Sequence, residues 1–391
     1  MSIIDVKHEL SPGKHLRIYE TLVAGITTGQ YQPGQQMPTL DMLSHSFKAS
    51  KPTILKALDH LEKKGLISRK RGGGVFVHES VVPRQQIKPI GLLVPDLFTR
   101  KYNRQETIFT SMVSHILTFS KERNFFLMAD SYPADSDAIA DDIKRSMDNF
   151  VRQNCAGILF QFIIKDNSEA LNERVLDVLE HSQLPIVLID RDICQFPKRS
   201  GFDLVGINNE RASYVLTSHL INLNCKNLCF VKVDFDSNSP VCTERISGFQ
   251  NALIQHQLRP DNIAVLSPIN ESEFAETLIR HIRREKVDAL VCVHDGVAIQ
   301  CMKHLLLNSF RIPEDIKLVG FDDLPSSQML PVPLTTICQP VDLIASEAVY
   351  ALSDRLNSPD RPIREIMLSE KLIIRQSCGA QLLQNANSGS K

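Results

Sequence analysis

Long apolar runs are absent from this sequence of 391 residues. No stretch of eighteen consecutive apolar residues occurs, and this excludes a membrane-spanning helix. The first residues also lack the apolar stretch of an export signal, because charges stand at Asp5, Lys7 and Glu9. We therefore expect a cytoplasmic protein that has no membrane partner.

Paired cysteine motifs are absent too. None of the nine cysteines belongs to a C-x-x-C pair, and most stand in apolar runs, as Cys292 does in ALVCV. A reduced cysteine in such a run acts as a small hydrophobic residue, which fits a reducing compartment. Cys225 and Cys229 have no histidine-rich segment nearby, so buried thiols are the simpler interpretation and a metal site is the alternative.

Signatures of common enzyme classes are also missing. A dinucleotide-binding oxidoreductase would need G-x-G-x-x-G after its first strand, but the first apolar run of the body is followed by Pro95-Asp96-Leu97-Phe98. Neither G-x-S-x-G nor H-E-x-x-H occurs. We expect no enzymatic activity, no cofactor and no metal.

The composition that is present is that of a globular protein with an uneven charge. Hydrophobic residues make up 43% and charged residues 23%, which rules out a mostly disordered or collagen-like chain. Of 44 basic and 45 acidic residues, residues 1–88 hold 13 and 7, so their balance is +6 and that of the remainder is -7. A basic head on an acidic body indicates a polyanionic partner for the head alone.

Residues 1–79 have the pattern of a winged helix-turn-helix domain. Apolar residues at helical spacing between Lys14 and Gly29 predict a first helix, and Thr39 is suited to cap a second. Ser50, followed by a proline in the first turn, fits the start of a third helix. The segments LISRK and GVFVH flank the glycine-rich stretch 71–74 and predict a basic hairpin, the wing.

After a polar linker, 80–88, the chain alternates between apolar runs and helical stretches. This alternation predicts parallel sheets covered by helices over 89–380, with 381–391 as a disordered tail. Eight strands over nearly 300 residues are more than a domain with a single sheet usually contains, so we predict two lobes. Lobe 1 is predicted from about 89–193 and 337–357, and lobe 2 from about 203–336 and 363–378. The apolar runs are 90–94, 125–129, 156–162, 185–189, 204–208, 227–233, 289–293 and 317–321.

The head segment 31–77 resembles the GntR-type winged-helix domain. Pro33-Gly34 followed by Met37-Pro38-Thr39 is similar to the turn of that family, and the stretch 49–58 is similar to its third helix. The resemblance implies binding to double-stranded DNA. The family usually has arginine where this chain has Asp41 and Leu55, so no base specificity is carried over.

The residue types of this segment suit a DNA contact. A helix that enters the major groove needs short or cationic side chains at its N-terminal end, and glycines let a wing approach the duplex closely. The alternative is a solvated basic hairpin on a protein-binding winged helix. The candidate DNA-binding residues are Thr39, Lys48, Ser50, Lys51, Thr53, Lys56, Arg69, Arg71 and Gly73.

Residues 88–378 resemble the effector domain of LacI-type regulators, which is similar to periplasmic sugar-binding proteins. The resemblance rests on 184–191, 205–209, 244–249, 294–295, 311–315, 318–323 and 334–340. It implies an α/β fold in which an N-terminal winged helix-turn-helix precedes a two-lobed, periplasmic-binding-protein-like (type I) sensor. A GntR-type head on such a body resembles arabinose-repressor-like regulators.

Polar residues that follow apolar runs are the candidates for an effector site. Ligands of parallel α/β sheets bind beyond the carboxyl ends of strands. Sugar hydroxyls both donate and accept, so a sugar site needs carboxylates, guanidinium groups and amides. Apolar sugar faces stack on aromatic rings, and Phe98 and Tyr102 lie in the loop after the first strand of the body. The resemblance places the other effector-binding candidates in a cleft between the lobes: Gln161, Asp190, Arg191, Arg245, His294, Asp322 and Gln339.

Simpler interpretations exist for several of these residues. Asp322 could cap a loop, Arg245 could be a surface charge, and Gln339 could bond an interlobe backbone group. Phe98 and Tyr102 could pack between lobes rather than stack on a ligand. His294 stands where the family commonly has asparagine, which alters the ligand pattern at that point.

The leading hypothesis is a cytoplasmic repressor that binds a palindromic operator as a homodimer. A monosaccharide or sugar phosphate would control its DNA binding. The alternative is a GntR-type head fused to an enzyme-like α/β body. The alternation of strands and helices predicted for the body does not fit an aminotransferase-like domain, however. A transport-type binding protein would need an export signal and has no use for the head.

Overall fold

The computed structural model describes residues 14–27, 29–70, 74–79, 88–96, 108–133, 138–163, 168–194, 197–234, 239–267 and 271–380. The chain divides into two compact units, Met1–Ile87 and Lys88–Lys391, which we call the head and the body. Most of the predicted linker and the predicted disordered tail lie outside the described residues.

The head has the predicted order of three helices and a hairpin. Its helices are α1 (Lys14–Thr27), α2 (Leu40–Ser46) and α3 (Lys51–Lys63). Strands β1 (Ile67–Lys70) and β2 (Gly74–Val77) pair antiparallel. One buried cluster joins all five elements, because each contributes apolar side chains to it. The winged helix-turn-helix architecture is therefore confirmed.

Local signals place the helix boundaries of the head. The Thr39 hydroxyl accepts a hydrogen bond from the Met42 amide at 3.3 Å and so caps α2. Ser50 is the N-cap residue of α3, but its hydroxyl bonds the Thr53 hydroxyl at 2.8 Å rather than a backbone amide. Gly65, at φ 69°, lets the chain turn from α3 into β1.

Lobe 1 of the body is built on a six-stranded parallel sheet. Its strand order is β13-β7-β6-β5-β3-β4. Helices α4 and α11 pack on each other, and α5 packs on α6. The elements are β3 (Lys88–Pro95), α4 (Ile108–Glu122), β4 (Phe125–Tyr132), α5 (Ile139–Arg152), β5 (Ile158–Gln161), α6 (Glu169–His181), β6 (Ile186–Ile189), β7 (Asp203–Ile207), α11 (Val341–Asn357) and β13 (Glu365–Leu368).

Lobe 2 is built on a second six-stranded sheet, in the order β14-β12-β11-β10-β8-β9. All its neighbours pair parallel except β14, which is antiparallel to β12. The elements are α7 (Asn209–Asn222), β8 (Leu228–Val233), α8 (Pro240–Gln255), β9 (Ile263–Leu266), α9 (Glu271–Glu285), β10 (Ala289–Cys292), α10 (Asp295–Leu307), β11 (Lys317–Asp322), β12 (Thr335–Cys338) and β14 (Lys371–Ile373).

The predicted lobe boundaries were wrong at the crossovers. Strand β7 pairs with β6, and β13 pairs with β7, so both belong to lobe 1 rather than lobe 2. Strand β12 lies entirely in the lobe 2 sheet, and the chain returns to lobe 1 only with α11. The chain therefore crosses three times, at 207–209, 338–341 and 368–371. An apolar run predicts a buried strand, but it does not specify which sheet takes the strand.

Burial explains why the eight apolar runs were recognisable. Each of them forms a strand, and β5, β6 and β10 are buried along their whole length because helices cover both faces of the sheet.

No helix in the described ranges is long and apolar enough to cross a membrane. Cys225 and Cys229 are buried thiols, as predicted, and burial raises their pKa values to about 11 and about 12.

Candidate functional site

The sheets bring polar residues of lobe 1 to one edge. Gln161 ends β5 and lies in register with Ile189, the last residue of β6. Asp190 and Arg191 follow directly, and Asp190 has a φ of 75°. Left-handed backbone at a residue other than glycine is uncommon and concentrates at functional sites. The fold therefore places Gln161, Asp190 and Arg191 together.

Lobe 2 presents a matching edge. Asp322 ends β11 with a φ of 112°, in register with Cys338, and Gln339 comes next. The Gln339 side-chain amide donates to the Asp322 carboxylate at 2.8 Å. Asp322 therefore bonds a neighbouring side chain, and the partner of Gln339 is a carboxylate rather than a backbone group. Burial raises the pKa of Asp322, while Arg245 and His294 act against that rise.

Arg245 is not a surface charge. It lies on α8, and only 5% of its surface is exposed. Its Nε donates to the Asn209 Oδ1 at 3.0 Å, its Nη1 donates to the Val293 carbonyl at 2.6 Å, and its Nη2 lies 3.6 Å from the Asp322 carboxylate. The guanidinium also lies 3.5 Å from the centre of the Phe321 ring. Burial lowers the pKa of Arg245.

Arg191 bonds across the two lobes. Its Nε and Nη2 donate to the Asp190 carboxylate at 3.2 and 2.9 Å, and its Nη1 donates to the Ser239 hydroxyl at 2.9 Å. Ser239 is the N-cap residue of α8 in lobe 2. Burial dominates the pKa values of Arg245 and Asp322 in lobe 2, and the charge of Asp190 in lobe 1 also acts on both, so charged groups of the two lobes lie near each other. We call this place the cleft.

Two amides in this region are buried without a full set of partners. Gln161 and Gln339 are 1% and 4% exposed. Within the described residues, the Gln161 Nε2 donor and the Gln339 Oε1 acceptor have no hydrogen-bond partner. A buried polar group without a partner costs about 1–3 kcal/mol, and a polar ligand or a water molecule can supply the missing partner.

One buried carboxylate near the cleft was missed by sequence reasoning. Asp295 begins α10 and accepts hydrogen bonds from the Leu324 amide at 2.9 Å, the Ser327 hydroxyl at 2.6 Å and the Thr336 hydroxyl at 2.7 Å. Burial raises the pKa of Asp295 to about 6. Asp295 follows the predicted residue His294 directly in sequence, but nothing in the sequence showed that its carboxylate is buried.

The remaining effector candidates differ in what the structure shows of them. His294 is the N-cap residue of α10, and its Nδ1 accepts from the Val297 amide at 3.3 Å. A neutral imidazole that accepts at Nδ1 carries its proton on Nε2. Phe98 and Tyr102 lie outside the described residues.

Two of the candidate DNA-binding residues of the head, Lys51 and Arg69, form ion pairs. Lys51 Nζ lies 2.5 Å from the Asp41 carboxylate of α2. Arg69 of β1 turns toward α3, where it lies 2.5 Å from Asp59 and 3.4 Å from Glu62. The cationic charge near both ends of α3 is therefore partly compensated within the head.

The other head candidates are solvent-accessible or fall outside the described part of the chain. Thr39, Lys48, Ser50 and Lys56 are exposed, and Thr53 is half-buried. The backbone carbonyl of Lys48 accepts a hydrogen bond from Lys14, so this loop is tied to α1. Arg71 and Gly73 belong to the wing tip, which is outside the described residues.

Comparisons with known proteins agree with both units. Residues 14–77 match the family model of bacterial regulatory proteins of the gntR family, and residues 217–378 match that of periplasmic binding protein-like domains. The chain thus joins a GntR-type head to a LacI-type, periplasmic-binding-protein-like body. This combination is that of a transcription regulator, as the sequence predicted.

Individual relatives are similar over different lengths. An arabinose metabolism transcriptional repressor of Geobacillus stearothermophilus is 26% identical over 375 residues, which cover 93% of this chain and 97% of that protein. The HTH-type transcriptional repressor PurR of Aliivibrio fischeri is 28% identical over 217 residues, and the match spans 54% of this chain and 63% of the repressor. A structure of the transcriptional regulator CelR with cellobiose has a TM-score of 0.63 at 18% identity and covers 87% of this chain and 100% of that one.

Proposed function

We propose that this protein is a cytoplasmic repressor that binds operator DNA through its head and a small sugar in the cleft of its body. The observation that carries the sugar is the pair of buried amide atoms, Gln161 Nε2 and Gln339 Oε1. One is a donor and the other an acceptor. A hydroxyl group can accept from the first and donate to the second, and a sugar carries several hydroxyls.

The charged groups of the cleft support the same ligand class. Asp190 and Asp322 offer carboxylate acceptors from opposite lobes, and Arg191 and Arg245 offer guanidinium donors beside them. Charge-assisted hydrogen bonds to hydroxyls are among the strong ones. The similar CelR structure contains cellobiose, a neutral sugar, and the similar Geobacillus repressor is named for arabinose metabolism. We assign Phe98, Tyr102 and His294 to the same site.

Control of the DNA affinity would follow from the lobed architecture. Three crossovers join the lobes and form a hinge. The Arg191–Ser239 bond and the facing charges bridge the cleft within the protein itself. A sugar that bonds both edges favours one spacing of the lobes, and it changes DNA binding only through its different affinity for the two states. Such coupling is typically worth 1–3 kcal/mol.

The experiment is a paired titration of the full chain. Thermal unfolding against a panel of monosaccharides, disaccharides and sugar phosphates identifies the ligand, because a ligand of the folded state raises the midpoint. DNA selected by the protein is then titrated with and without that ligand. A ligand that leaves the DNA affinity unchanged would contradict the regulation, and a failure to select any DNA would contradict the role of the head.

We expect the charge around α3 to govern the salt dependence of DNA binding. Lys56→Ala should reduce the slope of log affinity against log salt by about one unit if Lys56 contacts a phosphate. Asp41→Asn should tighten binding, because it frees Lys51 and removes a carboxylate from a surface that faces a polyanion. Fluorescence anisotropy at several salt concentrations measures both changes. Lys144 is an exposed lysine of α5 in the body. Lys144→Ala removes the same charge as Lys56→Ala, serves as its control and should leave DNA binding unchanged.

We also expect a homodimer. A single winged head contacts few base pairs, and two heads related by a dyad double the contact set on a palindromic site. Analytical ultracentrifugation at micromolar concentration should show two chains per particle, and the selected DNA should contain two half-sites. A monomer that binds a single half-site with full affinity would refute the dimer.

A further inference from the structure

Leu55 is an exposed apolar residue on the helix that is expected to enter the major groove. Among the head residues that the structure describes, only Met42 and Leu55 are large apolar side chains with exposed surfaces, at 59% and 41%. The core of α3 is formed by Ile54, Ala57, Leu58 and Leu61. Leu55 is therefore not required by the packing of the head.

Charged residues stand on both sides of Leu55 along the helix. Lys51 precedes it and Asp59 follows it at a spacing of four, so the three lie on one stripe of α3. Lys51 is paired with Asp41, and Asp59 is paired with Arg69. On this stripe of α3, Leu55 therefore lies between two charged residues whose charges are each neutralised by an ion pair. Leu55 itself has no charge with which to attract a phosphate.

The major groove contains one apolar group that such a side chain can bury. Thymine presents a C5 methyl group there, and no other base of unmodified DNA does. Leucine has no donor or acceptor for the base edges of guanine, adenine or cytosine. We propose that Leu55 determines part of the operator specificity by packing on a thymine methyl group. This inference rests on the proposed DNA binding of the head.

Uracil substitution isolates the methyl group. Deoxyuridine pairs as thymidine does and lacks only the C5 methyl. The full chain selects its DNA site in vitro, and each thymine of that site is then replaced by uracil in turn. At one or more positions the substitution should raise the Kd of the wild-type protein by about fourfold, the value expected for one buried methyl group.

Three variants test whether Leu55 is the source of the methyl effect. For Leu55→Ala the same uracil substitution should leave the Kd unchanged, because the packing partner is gone. Met42→Ala is the matched control on α2 and should keep the fourfold effect. Leu55→Arg should change the selected base at that position to guanine, whose O6 and N7 accept from arginine. Thermal unfolding should show all three variants folded, since both side chains are exposed.

The outcomes are distinguishable. A uracil effect that disappears in Leu55→Ala and persists in Met42→Ala supports the inference. The inference is overturned if no uracil substitution affects the wild-type protein, if the selected site has no thymine, or if the effect survives in Leu55→Ala. If the chain selects no DNA at all, the proposed function of the head fails. If the chain binds DNA but its affinity does not depend on thymine methyl groups, only the inference on Leu55 fails.

Discussion

Replacing Arg245 by methionine is expected to lower the free energy of unfolding of the body by about 3–5 kcal/mol and to abolish sugar binding. The guanidinium is buried and satisfies the Asn209 side chain, the Val293 carbonyl and the Asp322 carboxylate. Removing one partner of a buried ion pair leaves the other charge uncompensated, which is strongly destabilising. Urea unfolding followed by circular dichroism measures the loss, and calorimetry measures sugar binding.

A second substitution separates stability from recognition. Adding Asp322→Asn removes the uncompensated carboxylate and should restore part of the stability, but not the sugar affinity, because the charge-assisted donor is still missing. Arg280→Met removes an exposed arginine of α9 and should change the free energy of unfolding by less than about 0.5 kcal/mol. Normal sugar binding by a folded Arg245→Met protein would show that the cleft is assigned wrongly.

Replacing Asp295 by asparagine is expected to change the pH dependence of stability. Burial raises the pKa of Asp295 to about 6 in the folded protein, from 3.8. Between these values the folded state binds more protons than the unfolded state, so the contribution of Asp295 to stability is largest in acid and falls as the pH rises through about 6. The difference in stability between wild type and Asp295→Asn should therefore fall by roughly 2 kcal/mol from pH 4 to pH 6.5.

Glu271 provides a control with the opposite sign. Its hydrogen bond to Lys303 lowers the pKa of Glu271, so the carboxylate contributes its stability at higher pH and loses it as the pH falls. The stability difference between wild type and Glu271→Gln should rise slightly with pH. The comparison uses urea midpoints at several pH values. A flat difference for Asp295→Asn would mean that Asp295 is not a high-pKa carboxyl of the folded body.

Asp295 also connects stability to the candidate site. Its hydrogen bonds tie the start of α10 to the segment after β11 and to Thr336 in β12. Asp322 ends β11, and Gln339 follows β12. A carboxylate that holds both strand ends in place positions two of the proposed sugar-binding residues without contacting the sugar itself. Loss of Asp295 should therefore weaken sugar binding less than loss of Arg245.

Several parts of the protein could be predicted from the sequence because they depend on local chemistry. The Thr39 cap and the apolar stripe of α3 follow from neighbouring residues within one or two turns. Asp190 and Asp322 could be placed at strand ends because fully apolar runs mark buried parallel strands, whose carboxyl ends share one edge. Alternation of strands and helices was also enough to predict two lobes.

The partners of these residues were decided by the tertiary structure alone. The sequence did not show that β7 joins the lobe 1 sheet, that Arg191 bonds Ser239 across the cleft, or that Asp295 is buried. Each of these facts depends on which elements pack together, over separations of tens of residues, and local propensity contains no information on that choice. The sequence by itself determined the elements and their chemistry, and long-range packing decided which of those groups meet.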